Sequence, residues 1–256
     1  MIYIGTSGYS YNDWVGTFYK EGITKSEMLE EYSKVFKFTE INSTYYSIPN
    51  KYMFLSLIKK TPDDFVFTVK LHKSMTHAKD ADEKAYKDFN DAITPLKESG
   101  KLGCIVAQFP YSFKYTDQNL DYIKGIRDKF KDVDINVEFR NNSWMNTSVY
   151  EKLLKYSIGF INVDEPDIKG LVKKTGIVTS KIGYIRFHGR NAEKWYSHNE
   201  SYERYNYLYK EDELKEWLPS IKFIKKNAHI TFIAFNNHFK AKGADNAKML
   251  QELLDK

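Results

Sequence analysis

Residues 135–144, INVEFRNNSW, decide the fold class of this chain because they combine a β-strand pattern with a charged face. Successive side chains of a strand point to opposite faces, so the apolar residues of this stretch share one face, while Glu138 and Arg140 share the other. Charged side chains are rarely buried unless they are paired. Two opposite charges on the inner side of an apolar strand therefore indicate either a structural ion pair or a functional site.

The composition predicts an ordinary globular chain. Its 256 residues are 42% hydrophobic and 29% charged, which is enough for one full core, and we expect a single domain over residues 1–256. The opening MIYIG has neither a basic flank nor a long apolar stretch, so neither a signal peptide nor a membrane span is predicted. The cytoplasm is the expected location.

Cysteine content and net charge exclude some classes of protein and disfavour others. Cys104 is the single cysteine, which excludes an internal disulfide and a multi-cysteine metal site. The formal net charge of +5 suits acidic ligands but is far from the dense basic face of a dedicated nucleic-acid binder. Aromatic residues make up 16% of the chain, and we expect some in the core and others where they stack on ligands.

Strand and helix patterns alternate along the chain. Strand patterns fall at residues 2–4, 38–42, 65–72, 102–109, 134–140, 159–163, 182–188 and 230–235. Helical patterns separate them, except that residues 167–180, after strand six, are weakly patterned and predict a short helix or none. About eight such units are typical of an α/β TIM barrel, the (β/α)8 fold. A doubly wound sheet is the alternative, but no G-x-G-x-x-G follows the first strand and no P-loop occurs.

Polar residues collect at the carboxyl ends of the predicted strands, which form one mouth in a TIM barrel. The inward residues predicted there are Ser7, Glu40, Asn42, Lys70, His72, Gln108, Glu138, Arg140, Asp164, Arg186, His188 and Asn236. The opposite ends carry apolar or small residues such as Phe38, Val66, Cys104 and Phe232. We therefore predict a ligand site above a packed core, and a set of core ion pairs is the alternative.

Motif blocks are spread over nearly the whole chain. They are GTSGYSY at residues 5–11, EINSTYY at 40–46, QFP at 108–110, VEFR at 137–140, RFHGR at 186–190 and NNHF at 236–239. Together they resemble the signature blocks of the YecE-like family, a domain of unknown function. The resemblance implies a TIM-barrel fold with these blocks around one mouth, and it brings no established activity.

Convergent cations at the mouth predict an anionic ligand. Three cations on three different strands would meet there, namely Lys70, Arg140 and Arg186. Loops after strands seven and eight often hold phosphate in this fold, and Arg190 and Asn237 lie in them. The competing interpretation is that Glu40 and Glu138 neutralise the cations. The remaining substrate-binding candidates are Glu40, Asn42, His72, Gln108, Trp144, Asp164 and Asn236.

Three residues are candidates for catalysis. Glu138 is the first choice as general base because a neighbouring arginine keeps its carboxylate ionised, and His188, which titrates near neutral pH, is the second. Lys70 is a candidate Schiff-base nucleophile, although nearby carboxylates are expected to keep its ammonium charged. Glu40 and Glu138 also suggest a glycosidase, but nothing in the sequence sets the distance between them.

A metal centre is the rival chemistry. Its nitrogen and oxygen ligands would be Glu40, His72, Glu138, Asp164, His188 and His238. No H-E-x-x-H or comparable ligand spacing is present, and three cations in the same mouth oppose a cluster of metal ions. We expect no cofactor, and a divalent metal is the alternative.

These features predict that the protein binds a phosphorylated or other anionic substrate at the barrel mouth. If the protein is an enzyme, hydrolysis of that substrate is the expected reaction. The alternatives are a non-catalytic nucleic-acid-binding module and a metal-dependent phosphoesterase. The expected partner is an anionic small molecule or a nucleic-acid fragment, with no membrane. The tyrosine-rich segment 195–209 is either a stacking wall or lid, or a helical stripe that packs on the barrel.

Overall fold

Parallel strand pairing closes the sheet of this protein into a barrel. The computed structural model describes residues 1–255, apart from the side chain of Ser201. Each strand pairs in parallel with the next in sequence, and the eighth pairs with the first. The strands are β1 (Ile2–Ser7), β2 (Phe38–Ile41), β3 (Val66–Lys70), β4 (Leu102–Gln108), β5 (Ile135–Glu138), β6 (Ile158–Asp164), β7 (Ile182–Phe187) and β8 (Ile230–Phe235). This architecture confirms the predicted TIM barrel.

Helices follow every strand except β6. They are α1 (Met28–Ser33), α2 (Lys51–Lys59), α3 (Glu83–Glu98), α4 (Asp117–Lys129), α5 (Thr147–Lys155), α6 (Glu211–Lys215), α7 (Leu218–Asn227) and α8 (Lys242–Asp255). Residues 165–181 contain no helix, as their weak pattern predicts. Across residues 1–255, no helix combines the length and the apolar character needed to cross a membrane.

The helical pattern of residues 212–226 predicts one helix, but the structure has two, α6 and α7. Pro219 lies in the first turn of α7, where backbone N–H groups have no partner within the helix and the missing N–H of proline costs no hydrogen bond. Inside one continuous helix, the same proline would remove a backbone hydrogen bond. Trp217, at the break, is buried, and its indole N–H donates to Asp164 at 2.7 Å. The break therefore lets a side chain of the outer layer reach the end of strand β6.

The barrel interior changes from aromatic to charged along the strands. At the amino-terminal end, the rings of Phe38 and Phe232 pack with centroids 4.9 Å apart. Tyr184 lies against both rings, and its hydroxyl donates upward to Glu40 Oε2 at 2.8 Å. Since all strands are parallel, the charged layer above this tyrosine belongs to the carboxyl-terminal mouth.

Candidate ligand-binding site at the barrel mouth

A cavity of about 860 Å³ opens at the carboxyl ends of the strands. Its charged lining consists of Glu40, Lys70, Arg140, Arg186 and Arg204. Aromatic rings form much of its wall, contributed by Tyr9, Tyr11, Tyr45, Tyr46, Tyr111, Trp195, Tyr196 and Tyr205. The volume and the mixture of apolar walls with few polar groups are typical of small-molecule sites.

Arg186 is the centre of a buried ion-pair network beneath the cavity. Its Nη2 lies 2.7 Å from Glu40 Oε1, and its Nη1 lies 2.5 Å from Glu138 Oε2. All three side chains are almost completely buried. Burial opposes ionisation of Glu138, but Arg140 and Arg186 outweigh that effect and hold its pKa well below its ordinary range. Glu40 and Glu138 therefore pair with arginines, as the competing interpretation of these charges stated.

Arg140 joins a second pair of carboxylates. Its Nε lies 2.7 Å from Glu138 Oε1, and its Nη1 donates to Glu165 Oε2 at 2.8 Å. Burial raises the pKa of Glu165 to about 7, Glu138 adds to the effect, and Arg140 opposes it. Strand periodicity does not identify Glu165, because this residue follows strand β6, where side-chain alternation no longer applies. The only local signal was the turn sequence Asp164-Glu165-Pro166.

His188 lies beside Glu138 but carries no charge. Its Nε2 is 3.3 Å from Glu138 Oε1, and its Nδ1 is 3.1 Å from Asn236 Nδ2, which donates to the ring. Burial and Arg140 lower the pKa of His188 to about 3, so the imidazole is neutral near pH 7. Glu138 and His188 are both fully buried, and neither lines the cavity.

Lys70 is a cation that the carboxylates leave unpaired. Its Nζ donates to Gln108 Oε1 at 3.0 Å and lies 4.6 Å from the centre of the Tyr45 ring. Within residues 1–255 it forms no ion pair, because Glu40 and Glu138 are held by the arginines. Burial and then Arg186 lower the pKa of Lys70 to about 8. Glu138 and Glu40 favour the charged form of Lys70, as expected, but desolvation outweighs them and lowers the pKa.

Asp164 and Arg190 form a structural network outside the cavity lining. Arg190 donates to both carboxylate oxygens of Asp164, from Nε at 2.9 Å and from Nη2 at 2.8 Å. Tyr209 donates to the same carboxylate at 2.6 Å. Glu213 and Glu216 also pair with Arg190. These partners occupy the guanidinium of Arg190, the residue in the loop after strand seven that was predicted to bind phosphate.

Three more predicted binding residues do not line the cavity. Asn237 Nδ2 donates to Tyr207 O and to Asn246 Oδ1, both at 2.9 Å. His72 Nδ1 pairs with Ser74 Oγ at 2.8 Å. Trp144 is fully buried and stacks on Phe139 with ring centroids 4.1 Å apart. The predicted residues that do line the cavity are Glu40, Asn42, Lys70, Gln108, Arg140, Arg186 and Asn236.

The predicted metal ligands are not gathered into a metal site. Over residues 1–255, no group of three His, Cys, Asp or Glu side chains is arranged to hold a metal ion. His238, for example, is stacked on Tyr11 with ring centroids 4.6 Å apart. The glycosidase pairing is also unsupported, because Glu40 and Glu138 clamp one guanidinium and only Glu40 lines the cavity.

The tyrosine-rich segment contributes to the wall without forming the predicted helical stripe. Only Ser201–Tyr205 is helical, as a short 3-10 turn. Trp195 is buried between two cations, with Arg140 at 5.7 Å and Arg204 at 5.2 Å from its ring centre. Arg204 itself lines the cavity. Strand periodicity does not identify it, because it lies in this short 3-10 turn outside the barrel strands.

Together the fold and the mouth define a TIM-barrel protein with a charged, aromatic-walled cavity. The chain belongs to the family described as "Protein of unknown function DUF72", whose model matches residues 3–256. The UPF0759 protein YunF of Bacillus subtilis strain 168 is 31% identical over 100% of this chain and 95% of its own length. The UPF0759 protein YecE of Escherichia coli K12 is 34% identical over 94 residues, which are 37% of this chain and 30% of YecE.

A solved structure supports the same assignment. The crystal structure of a DUF72 family protein from Thermotoga maritima MSB8 matches this structure with a TM-score of 0.92, and the two sequences are 38% identical. The match covers 100% of this chain and 100% of that chain. The resemblance to the YecE-like family is therefore confirmed, and so is the barrel fold that it implied.

Proposed function

We propose that this protein binds a phosphorylated or otherwise anionic small molecule in the cavity at the barrel mouth. The observation that carries the proposal is the charge distribution of the lining. Lys70 and Arg204 line the cavity without an ion-pair partner among residues 1–255, whereas Glu40, the acidic residue in the lining, is held by Arg186. An anion is the natural partner of two such cations in a partly desolvated site.

The aromatic wall favours a ligand that carries a ring or a sugar as well as the anion. Tyr11 is stacked on His238, and Tyr205 lies 5.5 Å from the same imidazole, measured between ring centres. Flat faces of this kind bind rings and sugars through apolar contact and stacking. An anionic group on a flat, mostly apolar body therefore fits the lining.

Unpartnered polar atoms of the lining also favour a polar ligand. Asn42 Oδ1, Arg186 Nε and His238 Nδ1 are buried without a hydrogen-bond partner among the described residues. All three side chains line the cavity. Buried polar groups are normally satisfied, so a ligand or water that supplies complementary groups would be held there. The ligand we propose therefore offers both donors and acceptors.

The hydrolytic part of the hypothesis receives less support than binding does. Glu138, the predicted general base, is buried beneath the cavity and has a strongly lowered pKa. A carboxylate whose ionised form is so strongly favoured is a weak base. We therefore assign Glu138 the role of orienting Arg140 and Arg186, and we restrict the proposed function to binding.

Nucleic-acid binding is the second candidate function, and it is favoured by exposed tyrosines at the opening of the cavity. Tyr46, Tyr111 and Tyr196 are 72%, 41% and 57% exposed and line the cavity. Exposed tyrosines next to cations can stack on the bases of a single strand. The small molecule is preferred because the unpaired Lys70 is half-buried, within a cavity rather than along a groove.

Isothermal titration calorimetry with inorganic phosphate tests the proposal. We expect binding to the wild type, loss of at least about tenfold in affinity in Lys70→Met, and retention in Lys70→Arg, because charged hydrogen bonds are worth about 1.5–3 kcal/mol. Lys222→Met, which removes an exposed lysine of α7 outside the cavity, is the matched control and should bind like the wild type. Equal affinity in Lys70→Met and Lys222→Met would contradict the proposal.

A further inference from the structure

Lys70 differs from Lys101, a second lysine whose pKa is lowered by burial, in what its amine contacts. Lys101 Nζ donates to Thr61 O at 2.9 Å, Thr61 Oγ1 at 3.0 Å and Pro62 O at 2.7 Å, so its three N–H groups are occupied. Lys101 is buried and does not line the cavity. Lys70 Nζ has one oxygen acceptor, Gln108 Oε1, and it lines the cavity. The amine of Lys70 is therefore open to a bound molecule.

The surroundings of Lys70 favour a nucleophilic amine. Burial and the nearby Arg186 lower its pKa to about 8, so about half of the molecules carry a neutral amine at pH 8. A neutral amine in a partly apolar site is the form that attacks carbonyl carbon. The face of Tyr45 on one side and Gln108 on the other restrict the side chain. Geometry and charge thus point to the same chemistry.

We propose that Lys70 forms an imine with the carbonyl carbon of a phosphorylated aldehyde or ketone bound in the cavity. This inference rests on the proposed function, because the anion of the substrate would pair with Arg204 while its carbonyl group meets Lys70. Both cations line the same cavity and have no carboxylate partner among residues 1–255. The substrate class is therefore a small carbonyl compound with a phosphate group.

The proposed step is balanced without a further reactant. Lys70 Nζ forms a bond to the carbonyl carbon, and the carbonyl oxygen leaves as water after taking up two protons. Starting from the ammonium form, the products are a protonated imine and one water molecule, so the total charge is unchanged. Both protons taken up by the oxygen are those that the ammonium nitrogen of Lys70 gives up, so the balance needs no further acid. The positive imine remains in the field of Glu40 and Glu138, which favour the charged form of Lys70.

Reductive trapping tests the inference. The wild-type protein is incubated with dihydroxyacetone phosphate or glyceraldehyde phosphate and sodium cyanoborohydride, and the modified lysines are identified by peptide mass spectrometry. We expect Lys70 to be modified at least about tenfold faster than Lys222, which is exposed on α7, and we expect Lys101 to remain unmodified. Dihydroxyacetone, which lacks the phosphate, should label Lys70 more slowly than its phosphate ester does.

Two comparisons separate this inference from the proposed function. Lys222→Met should bind inorganic phosphate and be labelled at Lys70 like the wild type. Lys70→Arg should give no cavity label, because a guanidinium does not form the imine. If the wild type binds phosphate while Lys70 is labelled no faster than Lys222 by both compounds, the imine is refuted and the binding function stands. If inorganic phosphate neither binds nor slows labelling of Lys70, the binding function is refuted.

Discussion

Arg186 Nη1 lies 2.5 Å from Glu138 Oε2, although the strands that carry them, β7 and β5, are separated by β6. The pair crosses the barrel interior, and Glu40 on β2 extends it to a third strand at 2.7 Å from Arg186 Nη2. The floor of the mouth is therefore one connected set of charges. Its arrangement restrains Arg186 directly beneath the cavity.

Removal of the central guanidinium should strongly destabilise the fold. In Arg186→Met, the buried carboxylate of Glu40 loses its arginine, and Glu138 loses one of its two arginines and keeps Arg140. We expect a loss of about 3–5 kcal/mol in the free energy of unfolding, measured by urea denaturation. The triple variant Glu40→Gln, Arg186→Met, Glu138→Gln should recover part of this loss because no buried charge is left unpaired. A loss below about 1 kcal/mol in Arg186→Met would refute this account.

Glu165 should make stability fall as the pH rises. Its pKa in the folded protein is about 7, above the ordinary value of 4.5, so between these values the folded state binds a proton that the unfolded state lacks. The stability of the wild type relative to Glu165→Gln should decrease by about 3 kcal/mol from pH 4 to pH 8. Asp212→Asn, which alters an exposed acid, serves as control. A difference that does not change with pH would contradict the prediction.

Anion binding should weaken above pH 8 through Lys70. The ammonium is charged below its pKa of about 8 and becomes neutral above it. Sulfate is a suitable probe because its own charge is constant in this range. Its affinity, measured by calorimetry between pH 6 and pH 9.5, should fall in the wild type and remain level in Lys70→Arg. Parallel profiles in the two proteins would show that another group controls binding.

Glu138→Gln separates a positioning role from a catalytic one. Loss of this negative charge leaves Arg140 and Arg186 less neutralised, so phosphate should bind at least as tightly as in the wild type. The same variant tests the predicted hydrolase, with a generic phosphoester as substrate. Lost turnover with retained affinity would favour a catalytic role for Glu138, whereas unchanged turnover would remove the assignment of Glu138 as a base.

Salt dependence distinguishes a small anionic ligand from a nucleic acid. With Lys70 and Arg204 as the contacts, affinity for a single-stranded oligonucleotide should fall with salt at a log–log slope of about −1.4, and Lys70→Met should reduce the slope by about 0.7. Inorganic phosphate should displace the oligonucleotide if both use the cavity. A much steeper slope that Lys70→Met leaves unchanged would place nucleic acid on another surface.

Much of the charged floor could be predicted from strand periodicity. Tyr184 and Arg186 face inward because alternate residues of β7 share a face, and the same rule places Glu138 on β5. Loop residues obey no such period. Glu165 and Arg204 were therefore missed, and Arg190 was predicted to hold phosphate although it pairs with Asp164.

The sequence by itself determined the barrel and the polarity of its interior, because both follow from local alternation of side chains and from the rhythm of strands and helices. Only the tertiary structure decided which charges neutralise each other. Glu40, Glu138 and Glu165 pair with Arg140 and Arg186, which leaves Lys70 in the cavity without an ion pair in the described part of the chain. Ion pairing depends on distances of a few ångströms between residues that are far apart in the chain, and no local pattern encodes those distances.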